Sequence, residues 1–343
     1  MNQNKIGIID VGSNTILGVV FRWDEERQSY RCFSFSDGKT IHAGLLQYVL
    51  DGYMTNEGLT VLFESLKELN LFFNEMSVRS EDISCFATAS LRGVKNFAEA
   101  SGTAKKAGFN LILLSGEEEA RCDLAGMLQE LNWMEQISDV HFPDSGVALD
   151  LGGGSGQLLC FSSRKNEKLE AFDSFPIGCL ALKKKFIKGN GTSPTDEELM
   201  SIRNFVLSQI ETIPMVAALS NSNKKEEKEN QEVSPVFFAM GGTVKAIVRL
   251  MEFLGWNTGT TECVRISRQD LSRAEDYFRT ENGRNLIASH EPGRKETLLT
   301  GTVVLHTICR RLGADSLTVL KSGVREGYVV RYCNPSCDSS KEI

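Results

Sequence analysis

Hydrophobic residues run together in short stretches that end on glycine at three places: IGIIDVGSNT ending at Thr15, GVALDLGGGSG ending at Gly156 and VFFAMGGTV ending at Val244. Such runs, bounded by glycine and small polar residues, predict strands entering tight turns. The first two share the order apolar strand, Asp, any residue, Gly, then small polar residues, at Asp10 and at Asp150, so the second reads as a diverged copy of the first. The segments next in the chain, TILGVVFRW and QLLCFSS, are again β-branched, aromatic or alternating. That predicts antiparallel hairpins rather than strand-to-helix turns. After the third turn, Val244, Ile247, Val248, Met251 and Leu254 recur at helical spacing, so Gly241, Gly242 and Thr243 should open a helix.

Elsewhere the periodicity predicts a helix over 59–75, a strand ISCFATAS, a further helix, a strand LILLS and a helix from Gly116. Thr195 and Glu198 have the spacing of a capping box behind Pro194, opening a helix that should run to about residue 213. Residues 221–234, NSNKKEEKENQEVS, lack apolar periodicity and carry dense charge of both signs, the pattern of a mobile insertion outside the core. The Asp150 hairpin restarts the series, which predicts two lobes, 1–125 and 126–323.

Glycine lets backbone N–H groups approach and point at an anion, and the hydroxyls of Ser13, Thr15, Ser155 and Thr243 can add donors. A helix opening at the third turn would aim its unpaired N–H groups and positive dipole end at the same anion. The three turns therefore predict a phosphate-handling site between the lobes. It is neither a Walker loop nor a dinucleotide fingerprint, since both need a helix after the first turn. Within Ser115-Gly116-Glu117-Glu118-Glu119, Ser115 and Glu118 fit a capping box, and helix-end electrostatics account for two of the three glutamates. Glu119 has no such role, and a carboxylate one turn into a helix can orient or deprotonate a water. Arg92, at the end of ATASLR, offers a guanidinium suited to forked contact with phosphate oxygens.

The chain has 343 residues, enough for about two domains. A net charge of −7 argues against a general nucleic-acid binder, so a polyanion would meet a local basic patch. Lys183-Lys184-Lys185 is one such run, read first as a solvated helix face. No apolar run approaches the roughly 18 residues of a membrane span, and no signal segment precedes the first strand, so a cytoplasmic protein is expected. The nine cysteines lack paired zinc spacing and read as small buried hydrophobes in a reducing compartment; Cys333 and Cys337 near the tail could pair or bind a metal but read first as spare thiols in an exposed tail.

DVGSNT, ATASLR, LSGEEEAR, ALDLGGGSG, FPIGC, AMGGT and SGVREG, in this order and spacing, resemble the exopolyphosphatase and guanosine pentaphosphate phosphatase family (Ppx/GppA) over about residues 5–332. The resemblance implies an α/β fold of two ribonuclease-H-like domains, as in the actin-like ATPase superfamily, flanking a cleft. It also implies that the C-terminal helix, about 324–334, packs back on the first domain. Longer members add an HD-type domain, so the chain resembles the short, two-domain branch. Homodimers are common in the family, which makes one a candidate assembly.

Carried over by position, Glu119 matches the family's catalytic glutamate, which activates water, and Arg92 its phosphate-binding arginine. Gly12, Ser13 and Asn14 match the first phosphate loop and Gly152, Gly153, Gly154 and Ser155 the second. Asp10 and Asp150 match aspartates beside the phosphates and a divalent metal, Mg²⁺ or Mn²⁺. The implied reaction is attack of water on a terminal phosphoryl group of inorganic polyphosphate or guanosine pentaphosphate. Family members usually carry a glutamate where this chain has Gln157, which removes a negative charge from the implied metal site. Two other classes stay open: a phosphotransferase of the same superfamily, and a phosphate-chain sensor without turnover.

Overall fold

In a computed structural model, the described residues are 5–189, 193–213, 216, 236–256, 258–260 and 263–334. The charged insertion at 221–234 and Cys337 lie outside them. The chain divides into two compact units, one running to Gly126 and resuming at Val324, the other spanning Met127–Gly323. No described helix is long and apolar enough to cross a membrane.

The first unit is built on the strands β1 (Lys5–Val11), β2 (Ile16–Asp24), β3 (Ser29–Arg31) and β4 (Gly38–Ile41). A two-stranded ribbon, β5 (Val49–Leu50) and β6 (Tyr53–Met54), precedes β7 (Ile83–Ala87) and β8 (Leu111–Leu113). The sheet order is β3-β2-β1-β7-β8, with β4 also on β2. β1, β2 and β3 are antiparallel, whereas β7 and β8 run parallel to β1. Period-two alternation sends Ile9 and Val11 of β1 to one face and Ile6 and Ile8 to the other.

The first face is covered by helix Asn56–Glu75, which buries Leu62, Leu66, Leu69 and Phe73. Each such side chain contributes about 1.5–3 kcal/mol of hydrophobic stabilisation. The helix starts earlier than its apolar spacing indicates because Thr55 caps it, its Oγ1 accepting from the Gly58 amide at 3.2 Å.

The other face receives the returning segment: helix Val324–Tyr328 and a π turn, Val329–Cys333. Tyr328 stacks on Phe86 with ring centroids 4.8 Å apart. A Cβ at Gly327 would overlap the Cys122 carbonyl, so only glycine lets this segment reach helix Gly116–Ile137.

The second unit repeats the scheme with β9 (Gly146–Leu151), β10 (Gly156–Ser163), β11 (Lys168–Phe175), β12 (Phe237–Met240), β13 (Val264–Ser267) and β14 (Ser316–Val319). The order is β11-β10-β9-β12-β14-β13, with β9, β10 and β11 antiparallel and β12 and β14 parallel to β9. Apart from the antiparallel edge strand β13, this is the order and polarity of the first sheet, the ribonuclease-H-like arrangement. Val147, Leu149 and Leu151 face a core formed with helices Asp196–Ile210, Gly242–Phe253 and Leu298–Leu312. The capping box expected at Thr195 and Glu198 is present.

Candidate active site

In the first unit, β1 delivers Asp10 to a turn closed by the Gly12 amide on the Thr15 carbonyl at 3.0 Å. The Ser13 carbonyl accepts from the Leu46 amide at 3.0 Å and the Asn14 carbonyl from the Gly44 amide at 2.9 Å. In a planar trans peptide the C=O and the following N–H point in opposite directions. Tying these two carbonyls back therefore turns the Asn14 and Thr15 amides the other way, as a concave anion site requires. Ser90 braces the turn, donating from Oγ to the Val11 carbonyl at 2.5 Å.

Arg92 closes a short helix, Ala89–Arg92, rather than ending the strand as its sequence context suggests. Its Nη1 donates to Glu119 Oε2 at 2.5 Å and reaches the Leu114 carbonyl at 3.4 Å. Glu119 is only 4 % exposed. The three neighbouring glutamates separate by role: Glu118 forms the capping box with Ser115, Glu117 pairs with Arg121, and Glu119 meets Arg92. A guanidinium has five N–H donors in a fixed fork, more than one carboxylate can take up. Arg92 can therefore fix the Glu119 carboxylate and still donate to an anion.

Asp10 Oδ2 accepts from Arg325 Nη1 at 3.1 Å. Burial raises the Asp10 pKa above the ordinary aspartate value, and the Arg325 charge and hydrogen bond oppose that rise. Arg325 stands in SGVREG, a motif to which the sequence alone assigns no functional role; its partner is distant in the chain and invisible to local pattern.

In the second unit the Asp150 hairpin copies the first. The Gly152 amide meets the Ser155 carbonyl at 3.0 Å. The start of helix Cys179–Phe186 ties the turn carbonyls: Cys179 N–H donates to Gly152 O at 3.2 Å and Leu180 N–H to Gly153 O at 2.8 Å. By the same peptide geometry the Gly153 and Gly154 amides turn away from that helix. Gln157 braces this turn, Nε2 donating to Ser155 Oγ at 3.0 Å and to Ser174 Oγ at 3.2 Å.

The third turn opens helix Gly242–Phe253, as its periodicity predicts. Gly241 has φ 102°, and a Cβ there would lie 2.5 Å from Asp150 Oδ1, so glycine lets this backbone pack against the carboxylate. The Thr243 hydroxyl, expected to face a phosphate, is committed inside the unit: it accepts from Arg294 Nη1 at 3.2 Å and lies 3.3 Å from Cys179 Sγ. Arg294 escapes sequence reasoning because nothing local marks it, and Cys179 is visible there only as the last residue of FPIGC.

For a metal, no group of three or more His, Cys, Asp or Glu side chains occurs among the described residues. A hydrated Mg²⁺ or Mn²⁺ does not need one, since it binds through one or two carboxylates with water and substrate phosphate filling the other positions. The carboxylate oxygens of Asp10 and Asp150 are donors of the kind such an ion takes, and at Asp10 the Arg325 guanidinium competes with it.

The Ppx/GppA phosphatase family model matches residues 37–334, and the chain belongs to that family. The chain is similar to a bifunctional 3-dehydroquinate synthase/phosphatase of Fusobacterium nucleatum, 22 % identical over 318 residues; the match takes in 91 % of this chain and 44 % of that protein, so the chain spans less than half the length of this curated relative. Among solved structures, an exopolyphosphatase from Cytophaga hutchinsonii superposes with a TM-score of 0.75 at 18 % identity, covering 95 % of this chain and 96 % of that one. An Aquifex aeolicus Ppx/GppA phosphatase gives 0.64 at 19 % identity, covering 96 % and 99 %. At these identities the structural likeness is one of fold, the α/β actin-like arrangement seen in both sheets.

Proposed function

We propose that this chain hydrolyses the terminal phosphoanhydride bond of a phosphate chain, inorganic polyphosphate or guanosine pentaphosphate. The observation that carries the reading is the buried Glu119 held 2.5 Å from Arg92, in the unit that also bears the Asp10 turn. Membership of a phosphatase family and the two duplicated turns support it.

In the proposed reaction a water oxygen bonds to the terminal phosphorus as the bridging P–O bond breaks, and the shortened chain leaves with that electron pair. Glu119 orients the water and accepts its proton. Arg92 and the outward-turned amides of the turns stabilise charge on the equatorial oxygens. The carboxylate of Asp10 or of Asp150 would hold a bound Mg²⁺ or Mn²⁺, which would supply charge neutralisation at the phosphates.

Purified protein incubated with Mg²⁺ and polyphosphate, with and without ADP, tests the reading. Orthophosphate release that does not depend on ADP supports it, and a parallel arm with guanosine pentaphosphate assigns the substrate. ATP formation would make the protein a phosphotransferase. Gln157, an amide where the family usually has glutamate, favours one second reading, a phosphate-chain sensor, which predicts binding without either product.

A further inference from the structure

The second unit carries a cavity of about 60 Å³ that is not part of the turns. Lys183, Arg284, Lys295, Glu296 and Thr300 line it, above an apolar floor that includes Phe278, Ile287 and Leu299. Glu296 is its one carboxylate among the described residues and is ion-paired with Lys183. That pair cancels, leaving the charges of Arg284 and Lys295; neither belongs to an ion pair among the described residues.

Thr300 is 1 % exposed, and its Oγ1 has no hydrogen-bond partner among the described residues. A buried hydroxyl left unsatisfied is costly, and a bound oxyanion would complete it. The volume holds about four waters, the size of one tetrahedral oxyanion.

From this cavity, its excess of cations over carboxylates and its unpartnered buried hydroxyl, we infer that the second unit has a separate binding pocket for a single phosphate group. The pocket adjoins the third turn through the chain itself: Lys295 follows Arg294, whose guanidinium holds Thr243. It does not rest on hydrolysis, because binding is read without turnover. The phosphate could be free orthophosphate, the end of a phosphate chain or a phosphate ester.

Equilibrium dialysis of the full chain against radiolabelled orthophosphate tests the inference. Arg284→Ala/Lys295→Ala should weaken one class of sites at least tenfold while Arg92→Ala leaves that class intact. Thr300→Val, nearly isosteric, should weaken the same class by a smaller factor and guards against misfolding of the double variant. Competition by tripolyphosphate or by AMP more strongly than by orthophosphate assigns the source to a chain end or an ester, and each supports a phosphate pocket. Binding that survives both pocket variants but is lost in Arg92→Ala overturns the inference, because the phosphate then sits at the turns. Displacement by chloride as effective as by phosphate also overturns it, reducing the cavity to a non-selective ionic patch.

Discussion

In the first hairpin the Gly12 amide meets the Thr15 carbonyl at 3.0 Å, and in the second the Gly152 amide meets the Ser155 carbonyl at the same distance. Both turns have two carbonyls tied back by amides of a neighbouring helical segment, Leu45–Tyr48 with Gly44 in one and Cys179–Phe186 in the other. Their surroundings differ. The first unit adds Arg92 with Glu119 and sets a guanidinium against Asp10. The second adds a brace of Gln157 and backs Asp150 with a glycine held at positive φ. A duplicated backbone device suited to anions recurs in both units, while the Arg92–Glu119 pair proposed to act on water belongs to the first.

The largest break in that comparison should come from Glu119→Gln. Turnover on polyphosphate is expected to fall by about 10² or more, the scale of a lost general base, with little change in melting temperature. Wild-type turnover would remove the asymmetry of the proposed chemistry. Gly241→Ala is expected to destabilise the protein by about 1–3 kcal/mol, since alanine at this φ is strained and its Cβ meets the Asp150 carboxylate. Denaturant unfolding reads that loss, and a neutral result would mean the Asp150 turn does not depend on close backbone approach.

Arg325→Ala sharpens the contrast between the two aspartates through pH. Burial raises the Asp10 pKa, so ionising Asp10 costs folding free energy that appears as the pH rises above the ordinary carboxylate range and vanishes below it. Arg325 offsets that cost. Its removal should therefore destabilise the protein by about 1–3 kcal/mol at neutral pH, and the loss should shrink at about pH 4, near the ordinary aspartate value. Melting curves of variant and wild type with the same separation at both values would show that the pair does not govern Asp10. The smallest effect is expected for Gln157→Glu. A restored carboxylate should lower the Mg²⁺ concentration for half-maximal activity by about threefold through charge attraction. An unchanged metal dependence would leave Gln157 as a brace for Ser155 alone.

The elements legible in the sequence are those whose signal is local. Short apolar runs ending in glycine mark both hairpins, and the Ser115–Glu118 and Thr195–Glu198 boxes mark helix starts that are present in the structure. The approach to Arg92 reads differently in sequence and structure: ATASLR has strand composition, yet the chain leaves β7 after Ala87 and turns helical at Ala89. The tertiary bond from Ser90 to the Val11 carbonyl accompanies that turn, and no pattern confined to neighbouring residues can encode it. Arg325 and Arg294 escape a sequence reading for the same reason: each is defined by a partner far along the chain, Asp10 and Thr243. The buried fate of the Thr243 hydroxyl likewise depends on Arg294 and Cys179, not on the glycines before it.

The pairing of Arg325 with Asp10 spans 315 residues, and with it the returning segment makes the first unit discontinuous. On the ribosome, where domains generally fold as units from the N-terminus, the β1 face that receives Tyr328 must wait, its apolar residues uncovered, while the whole second unit is synthesised. Such a long closure slows folding, since its entropy is lost before the contact forms. The second unit, continuous from Met127 to Gly323, has no such dependence. Chains truncated before Val324 should therefore release a second unit able to fold and a first unit prone to aggregate.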